Sequence, residues 1–341
     1  MQAIRGLVLA GAYLALLVAP SSYISPSHFP LSEENLTRFA RILKWAVAIC
    51  LIREINCVLN AWAENRWMFT SDKSSWRWDH ELAVVTGGSN GIGAAVVKEL
   101  TSYGVKVAVL DIQPLSDAVQ NDKSNLVSFY QCDLTSRDAV HRAAEALRSD
   151  HGSPSILVNN AGIGNSSSIL DLSPKLLQTL VGLNLISHWY TVQEFLPDML
   201  AKRRGHIMAT ASMAAFLGIA NSADYAATKA GLTAFHETLT QELKHRYKCP
   251  QIKTSIVYPM WTRTRLNVSL DSEFRKTFEN PENVAKIMVN QIIAVKSGQL
   301  VLGPHLATIV RAMPMWIQEL VRDSQAHIVT ANATSAVSVE S

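Results

Sequence analysis

The chain predicts an α/β fold, a doubly wound parallel sheet of about seven strands with helices on both faces, preceded by an N-terminal hydrophobic helical extension. Short apolar runs rich in β-branched residues alternate with longer segments of helical periodicity. The first such run leads straight into a glycine-rich turn, and the residues before it follow a different, more apolar pattern. With 341 residues and 48% hydrophobic content, the chain can bury one large core and still carry an appendage. The expected division is 1–78 as a membrane-anchoring extension, 79–303 as the α/β domain, and 304–341 as an apolar C-terminal segment with a tail.

Leu7 to Ala19 is almost wholly apolar. Counted from Ile4, with only Arg5 interrupting, the stretch reaches about 16 residues, near the lower limit of about 17 for a spanning helix. A second stretch, Phe39 to Leu59, is interrupted by Arg53-Glu54 and carries Arg41 and Lys44, a pattern that suits an interfacial or re-entrant helix. Trp62, Trp67, Trp76 and Trp78 follow, and the amphipathic indole favours the headgroup level. Together these features predict a membrane anchor. A cleaved signal peptide ending near Ala19-Pro20-Ser21 and a soluble helical cap are the competing readings. Basic residues flank both stretches, so charge does not fix an orientation.

Within the α/β domain, strand-like runs fall at 82–86, 105–110, 126–131, 155–160, 205–211, 252–258 and 299–302. Helical patterns fall at 92–103, 136–149, 174–201, 223–247 and 283–295. Gly104, Gly152-Ser153-Pro154 and Arg204-Gly205 mark helix ends. Segment 303–322 is unusually apolar and closes on a short amphipathic pattern suited to covering a substrate mouth or touching a membrane, while the residues after Asp323 read as a mobile tail.

Charge and cysteine usage exclude several classes. A net charge of +3 without a long basic run is no footprint for nucleic acid. Cys50, Cys57, Cys132 and Cys249 have no metal-ligand spacing and no disulfide framework, which fits a reducing compartment, and no metal is expected. Asn35, Asn165, Asn267 and Asn332 head glycosylation sequons by pattern; those in the α/β domain would stay unused in the cytosol.

Four constellations carry chemistry. Thr86-Gly87-Gly88-Ser89-Asn90-Gly91-Ile92-Gly93 lies between the first strand and a helix, where glycines permit positive φ and close approach of a pyrophosphate to a helix N-terminus. This is the turn of a Rossmann-type fold. Asp111 ends the second strand roughly 20 residues further on, placed to bind the adenosine ribose, and its charge repels a 2′-phosphate, so NAD(H) is preferred without excluding NADP(H). Ser212 ends an apolar run that delivers a hydroxyl to the carboxyl edge of the sheet. Tyr225 and Lys229, four apart, share one helix face, where a neighbouring ammonium is expected to stabilise the phenolate and make an acid/base.

With these motifs and Asn159-Asn160-Ala161-Gly162 in order, residues 80–303 resemble the short-chain dehydrogenase/reductase family. The resemblance implies a catalytic set of Asn184, Ser212, Tyr225 and Lys229, with Lys229 also holding the nicotinamide ribose and Asn184 orienting a water that links Lys229 to solvent. It further implies cofactor contacts from Gly87, Ser89, Asn90, Gly91, Ile92 and Gly93, from Asp111 and Asp133, from Asn160, Ala161 and Gly162, and from Thr262 and Thr264. Met260 replaces the glycine of the family's Pro-Gly turn, which puts the local backbone there in question. Residues 265–281 are expected to form an apolar substrate lid. The hydrophobic extension and Met313-Pro314-Met315-Trp316-Ile317-Gln318-Glu319 resemble the membrane-associated retinol and 17β-hydroxysteroid dehydrogenase branch.

The resulting expectation is an NAD(P)(H)-dependent oxidoreductase of a lipophilic alcohol or carbonyl compound such as a retinoid, steroid, fatty or terpenoid molecule. It would be anchored to the endoplasmic reticulum or lipid droplets, face the cytosol, and form a homo-oligomer as is usual in the family. A catalytically idle dinucleotide-binding scaffold and a soluble reductase of polar metabolites are the alternatives.

Overall fold

The computed structural model describes residues 11, 33–68, 73–120, 125–264 and 277–325. The chain divides into two compact units at residues 69 and 70. The first contains helix α1 (Glu33–Glu64), which runs unbroken through Arg53-Glu54. No helix among the described residues is long and apolar enough to cross a membrane. The apolar stretch from Ile4 to Ala19 lies outside the described residues apart from Gly11.

The second unit is built on seven parallel strands: β1 (Leu82–Thr86), β2 (Lys106–Asp111), β3 (Val127–Gln131), β4 (Ile156–Asn159), β5 (His206–Thr210), β6 (Lys253–Pro259) and β7 (Gly298–Leu302). Their spatial order is β3-β2-β1-β4-β5-β6-β7. The register aligns Val85 with Val109 on one side and with Val158 on the other. Because the chain turns back between β1 and β4, a crevice opens outside the carboxyl ends of these two strands.

Strand β1 shows why the runs are continuously apolar. Leu82 and Val84 point to one face, under α4 (Arg137–His151), α6 (Ser187–Ala201) and α7 (Ala223–Gln241). Ala83 and Val85 point to the other, under α2 (Gly91–Ser102), the short α3 (Asp117–Gln120) and α8 (Pro281–Ile293). With both faces covered, no strand position is left for alternation. Helix starts follow local chemistry. Ser136 caps α4 by accepting from Ala139 N at 3.3 Å. Ser173 caps α5 (Pro174–Val181) in the same way, with Pro174 in the first turn. Gly152, at φ 84°, ends α4 in the left-handed region.

Two features differ from the sequence expectation. The helical pattern 174–201 is interrupted by a π-helical turn, Gly182–Ile186, with Asn184 inside it. Trp76 and Trp78 do not lie free for a headgroup layer. Trp76 is buried in the core against Trp78, and the Arg204 guanidinium sits 4.7 Å over its ring. Arg204 also pairs with buried Glu81, which accepts from Ser155, so the indole completes a cation-π and ion-pair cluster at the amino ends of the strands.

Beyond β7, α9 (Leu306–Ile309) and α10 (Met315–Asp323) form the C-terminal segment. Gly303 passes so close to Met213 and Met260 that a Cβ would lie 3.1 Å from each side chain, and Arg311 Nε donates to Phe216 O at 3.1 Å. These contacts lay the start of the segment beside the turn after Ser212. The proposed lid is described only from residue 277 onward, and the tail after 325 lies outside the described residues.

Candidate active site

A cleft of about 740 Å³ opens at the carboxyl edge of the sheet. Most of the residues singled out in the sequence line it: Gly87, Asn90, Gly91, Ile92, Asp111, Asp133, Asn160, Ala161, Gly162, Ser212, Tyr225, Lys229, Thr262 and Thr264. Ser89, Gly93 and Asn184 do not; they sit behind the wall and hold it.

At one end is the glycine turn. Gly87 and Gly91 adopt φ of 63° and 58°, which L side chains rarely reach. Gly93 is required by contact instead, because a Cβ there would lie 2.1 Å from Gly87 O and 2.6 Å from Asn160 Nδ2. The turn is stitched to β4. Asn160 Nδ2 donates to Thr86 O and Gly87 O at 3.3 Å each, and the Asn160 and Ala161 amides donate to Thr86 Oγ1 at 2.9 and 3.1 Å. The Asp111 carboxylate accepts from Ser89 N and Gln113 N, each at 3.0 Å, and Asn90 Nδ2 donates to Gln113 Oε1 at 3.3 Å. Asp133 Oδ1 accepts from Thr135 N and Oγ1 at 2.9 and 2.7 Å, closing the loop beside buried Cys132, whose thiol burial pushes up to about 11. Of the residues lining this end, none is a lysine or arginine.

At the other end, Ser212 follows β5, and its Oγ accepts from Ala214 N at 3.2 Å. It lies close enough to the Tyr225 phenol to lower its pKa. Burial raises the Tyr225 pKa above its ordinary value, and Ser212 pulls it partly back. The acidification expected from Lys229 does not appear: burial raises the phenol, and the group that opposes burial is the Ser212 hydroxyl. Lys229 lies with Nζ 5.5 Å from the Tyr225 ring centroid, donates to Thr210 O at 2.8 Å, and is itself lowered to about 8 by burial.

Asn184 is fully buried. Its side chain grips the loop at Ile163, with Oδ1 accepting from Ile163 N and Nδ2 donating to Ile163 O, both at 2.8 Å. A Cβ on Gly162 would lie 3.1 Å from Asn184 Oδ1 and 3.6 Å from Lys229 Nζ, so the loop passes tightly between them. Met260 adopts no positive φ, so the turn after β6 forms without the family's glycine. Thr262 Oγ1 donates to Met260 O at 3.0 Å, and Thr264 packs beside Gly91.

Sequence reasoning missed Gln113, Thr135, Thr210 and Asp224. Gln113 and Thr135 lie two residues past the aspartates they bond, a spacing typical of aspartate-centred turns that offers a usable signal. Asp224 is buried, accepts from Tyr225 N at 2.7 Å and binds Asn165 Nδ2, which engages the sequon asparagine inside the fold. Nothing local in the sequence announces that pairing.

Residues 81–274 match the family model of short chain dehydrogenases. The chain is 41% identical over 190 residues to "Dehydrogenase RED2" of Cochliobolus heterostrophus, covering 56% of this chain and 71% of that protein. It is 30% identical over 189 residues to "Epidermal retinol dehydrogenase 2" of Homo sapiens, covering 54% of this chain and 61% of that one. Among solved structures, a metagenomic short-chain oxidoreductase in complex with NADP aligns with a TM-score of 0.54 at 26% identity, over 65% of this chain and 96% of that one. The crevice suits a dinucleotide on its own terms: a cradle that any Cβ at Gly93 would fill, a carboxylate at the end of β2 and a buried ammonium with donors to spare. With more than half of its length matched, the chain belongs to the short-chain dehydrogenase family and is an NAD(P)-dependent oxidoreductase acting on CH–OH groups.

Proposed function

We propose that the protein interconverts a lipophilic alcohol and its ketone or aldehyde, using NAD(H) in preference to NADP(H), with Tyr225 as acid/base. The observation that carries this reading is the Tyr225 phenol at the cleft, with Ser212 lining the same cleft and buried Lys229 one helical turn away. A bound nicotinamide would supply or accept the hydride. In reduction, Tyr225 donates its proton to the substrate oxygen while Ser212 hydrogen-bonds that oxygen and stabilises its developing charge. Burial keeps the phenol protonated, the form that carries the proton this step transfers. Lys229 has donors beyond the one given to Thr210 O and is suited to hold ribose hydroxyls.

The NAD(H) preference rests on Asp111 and on the lack of a lysine or arginine among the residues lining that end of the cleft. Support for a lipophilic substrate comes from the retinol-dehydrogenase relative and from the apolar side chains of Met213, Phe216, Met260 and the following C-terminal segment. Leu306, Ile309, Met315, Trp316 and Leu320 leave that segment with an apolar surface. Membrane attachment through the N-terminal extension, at the endoplasmic reticulum or lipid droplets, and homo-oligomerisation belong to the same proposal. An activity screen of the detergent-solubilised protein with NADH and NADPH against retinoid, steroid and fatty carbonyls tests it. Turnover of an apolar carbonyl with NADH is expected. Turnover confined to polar carbonyls, or a clear preference for NADPH, would overturn the substrate or the cofactor assignment respectively.

A further inference from the structure

The loop after β4 lines the cleft with Gly162, Ile163 and Gly164 and leaves it at the next residue, Asn165. At the start of α7, Tyr225 lines the cleft and Asp224 stands just behind it. These two chain neighbours of the cleft wall meet each other. Asn165 Nδ2 donates to Asp224 Oδ2, and the other carboxylate oxygen, Oδ1, accepts from Tyr225 N at 2.7 Å. The rest of the Asn165 amide is also used, since its Oδ1 accepts from Ser167 N at 2.7 Å. With a carboxylate on one side and an N–H on the other, one orientation of this amide satisfies both neighbours.

Asp224 is 6% exposed, and a carboxylate taken out of water is tolerated only where hydrogen bonds replace its hydration. Capping does not call for that burial, because an exposed acid in a first turn also satisfies helix amides. What the burial adds is the bond to Asn165, 59 positions earlier in the chain. Two residues before Asn165, Asn184 holds Ile163 by its amide and its carbonyl, both at 2.8 Å. The loop is thus pinned at two points, and the second pin is the chain neighbour of the phenol.

We propose that Asp224 and Asn165 are positioning residues that clamp the loop after β4 to the first turn of α7, and so hold the cleft at the spacing a carbonyl needs to reach Tyr225. The inference rests on the proposed role of Tyr225. Neither residue exchanges a proton with substrate. A loosened clamp leaves the carbonyl able to enter but less often placed for transfer, and misplacement of that kind is felt in kcat. The Asn165 nitrogen that would carry a glycan is the atom Asp224 binds, so the clamp and an occupied sequon are mutually exclusive.

The test uses the full-length protein and the carbonyl that the screen identifies. In Asp224→Asn the amide can still accept from Tyr225 N but turns a donor toward the Asn165 donor, and in Asn165→Asp two carboxylates face each other. Combining both substitutions restores all three bonds with donor and acceptor exchanged. The expected result for each single variant is a kcat per NADH-binding site lower by about tenfold, with KM changed less and NADH affinity within a few-fold. Amide hydrogen exchange of residues 162–168 should quicken in each, and the double variant should return both readouts close to wild type. A wild-type rate in the single variants overturns the proposal whatever the exchange shows. So does a loss that persists in the double variant, or one matched by weakened NADH binding. Should a single variant fail to fold, the double variant decides: wild-type rate and exchange support the clamp, and loss of either overturns it. Ser167→Ala removes the sequon and keeps the Ser167 amide, so it should behave as wild type; a loss equal to that of the single variants would put a glycan in place of the clamp. Tyr225→Phe is run alongside. If it is as active as wild type, the catalytic reading itself fails; if it is dead while Asp224→Asn is normal, only the clamp fails.

Discussion

The two ends of the cleft are built on opposite principles. At the glycine turn, backbone groups do the work. Glycines allow chain to touch chain, and the Asp111 carboxylate already has two amide partners. At the proposed reacting end, side chains do the work, and two of them are titratable groups that burial shifts: a lysine lowered to about 8 and a phenol raised. One end is optimised for fit, the other for reactivity at some expense of stability.

The largest effect expected from breaking this contrast is Tyr225→Phe, which should lower kcat about a thousandfold while NADH affinity, read by fluorescence titration, stays within a few-fold. Comparable loss of both would move Tyr225 from chemistry to cofactor binding.

Lys229→Met should abolish turnover yet stabilise the protein. The folded value near 8 lies below the ordinary 10.5, so between the two the unfolded chain holds more charge on this group, and below about 8 both states are charged and the fold carries the whole cost. The resulting penalty is fully present below about pH 8 and is lifted as pH rises toward 10.5, so wild-type stability climbs across that window. The penalty is about 3 kcal/mol, and the lost bond to Thr210 O offsets part of the gain. Thermal melts of the two proteins from pH 6 to about 10.5 should show a gap that closes with rising pH; a gap that widens would refute this account of burial.

Gly93→Ala acts at the other end. Its methyl group meets backbone with no room to yield, and overpacking of about 1–3 kcal/mol corresponds to roughly ten- to hundredfold weaker NADH binding. Equal NADH affinity would mean the cradle is softer than it looks. The smallest change is Asp111→Ser, expected to narrow the NADH-over-NADPH ratio of kcat/KM by about tenfold; an unchanged ratio would place discrimination elsewhere.

The strands were legible because a sheet covered on both faces demands continuous apolar runs, and β1 starts and stops at the residues expected. The glycine turn and the Tyr225–Lys229 pair were legible because their requirements are local. What the sequence hid depends on distant chain. The π-helical turn at Asn184 leaves no mark in hydrophobic spacing, and its side chain takes as partner a loop residue 21 positions away. The acidity of Tyr225 was misjudged because helical spacing shows the ammonium beside it but not the enclosure around both. Trp76 was misplaced because an amphipathic indole suits a headgroup layer and an arginine equally well.

The bonds from Thr86 to Asn160 and Ala161 join residues more than seventy positions apart. The nucleotide cradle therefore exists only once two non-consecutive strands have met, and no fragment ending before β4 can possess it. A dinucleotide that recognises the assembled cradle alone will drain the unfolded population by mass action. Supply of the coenzyme would then bear on how long each molecule of this enzyme survives proteolysis.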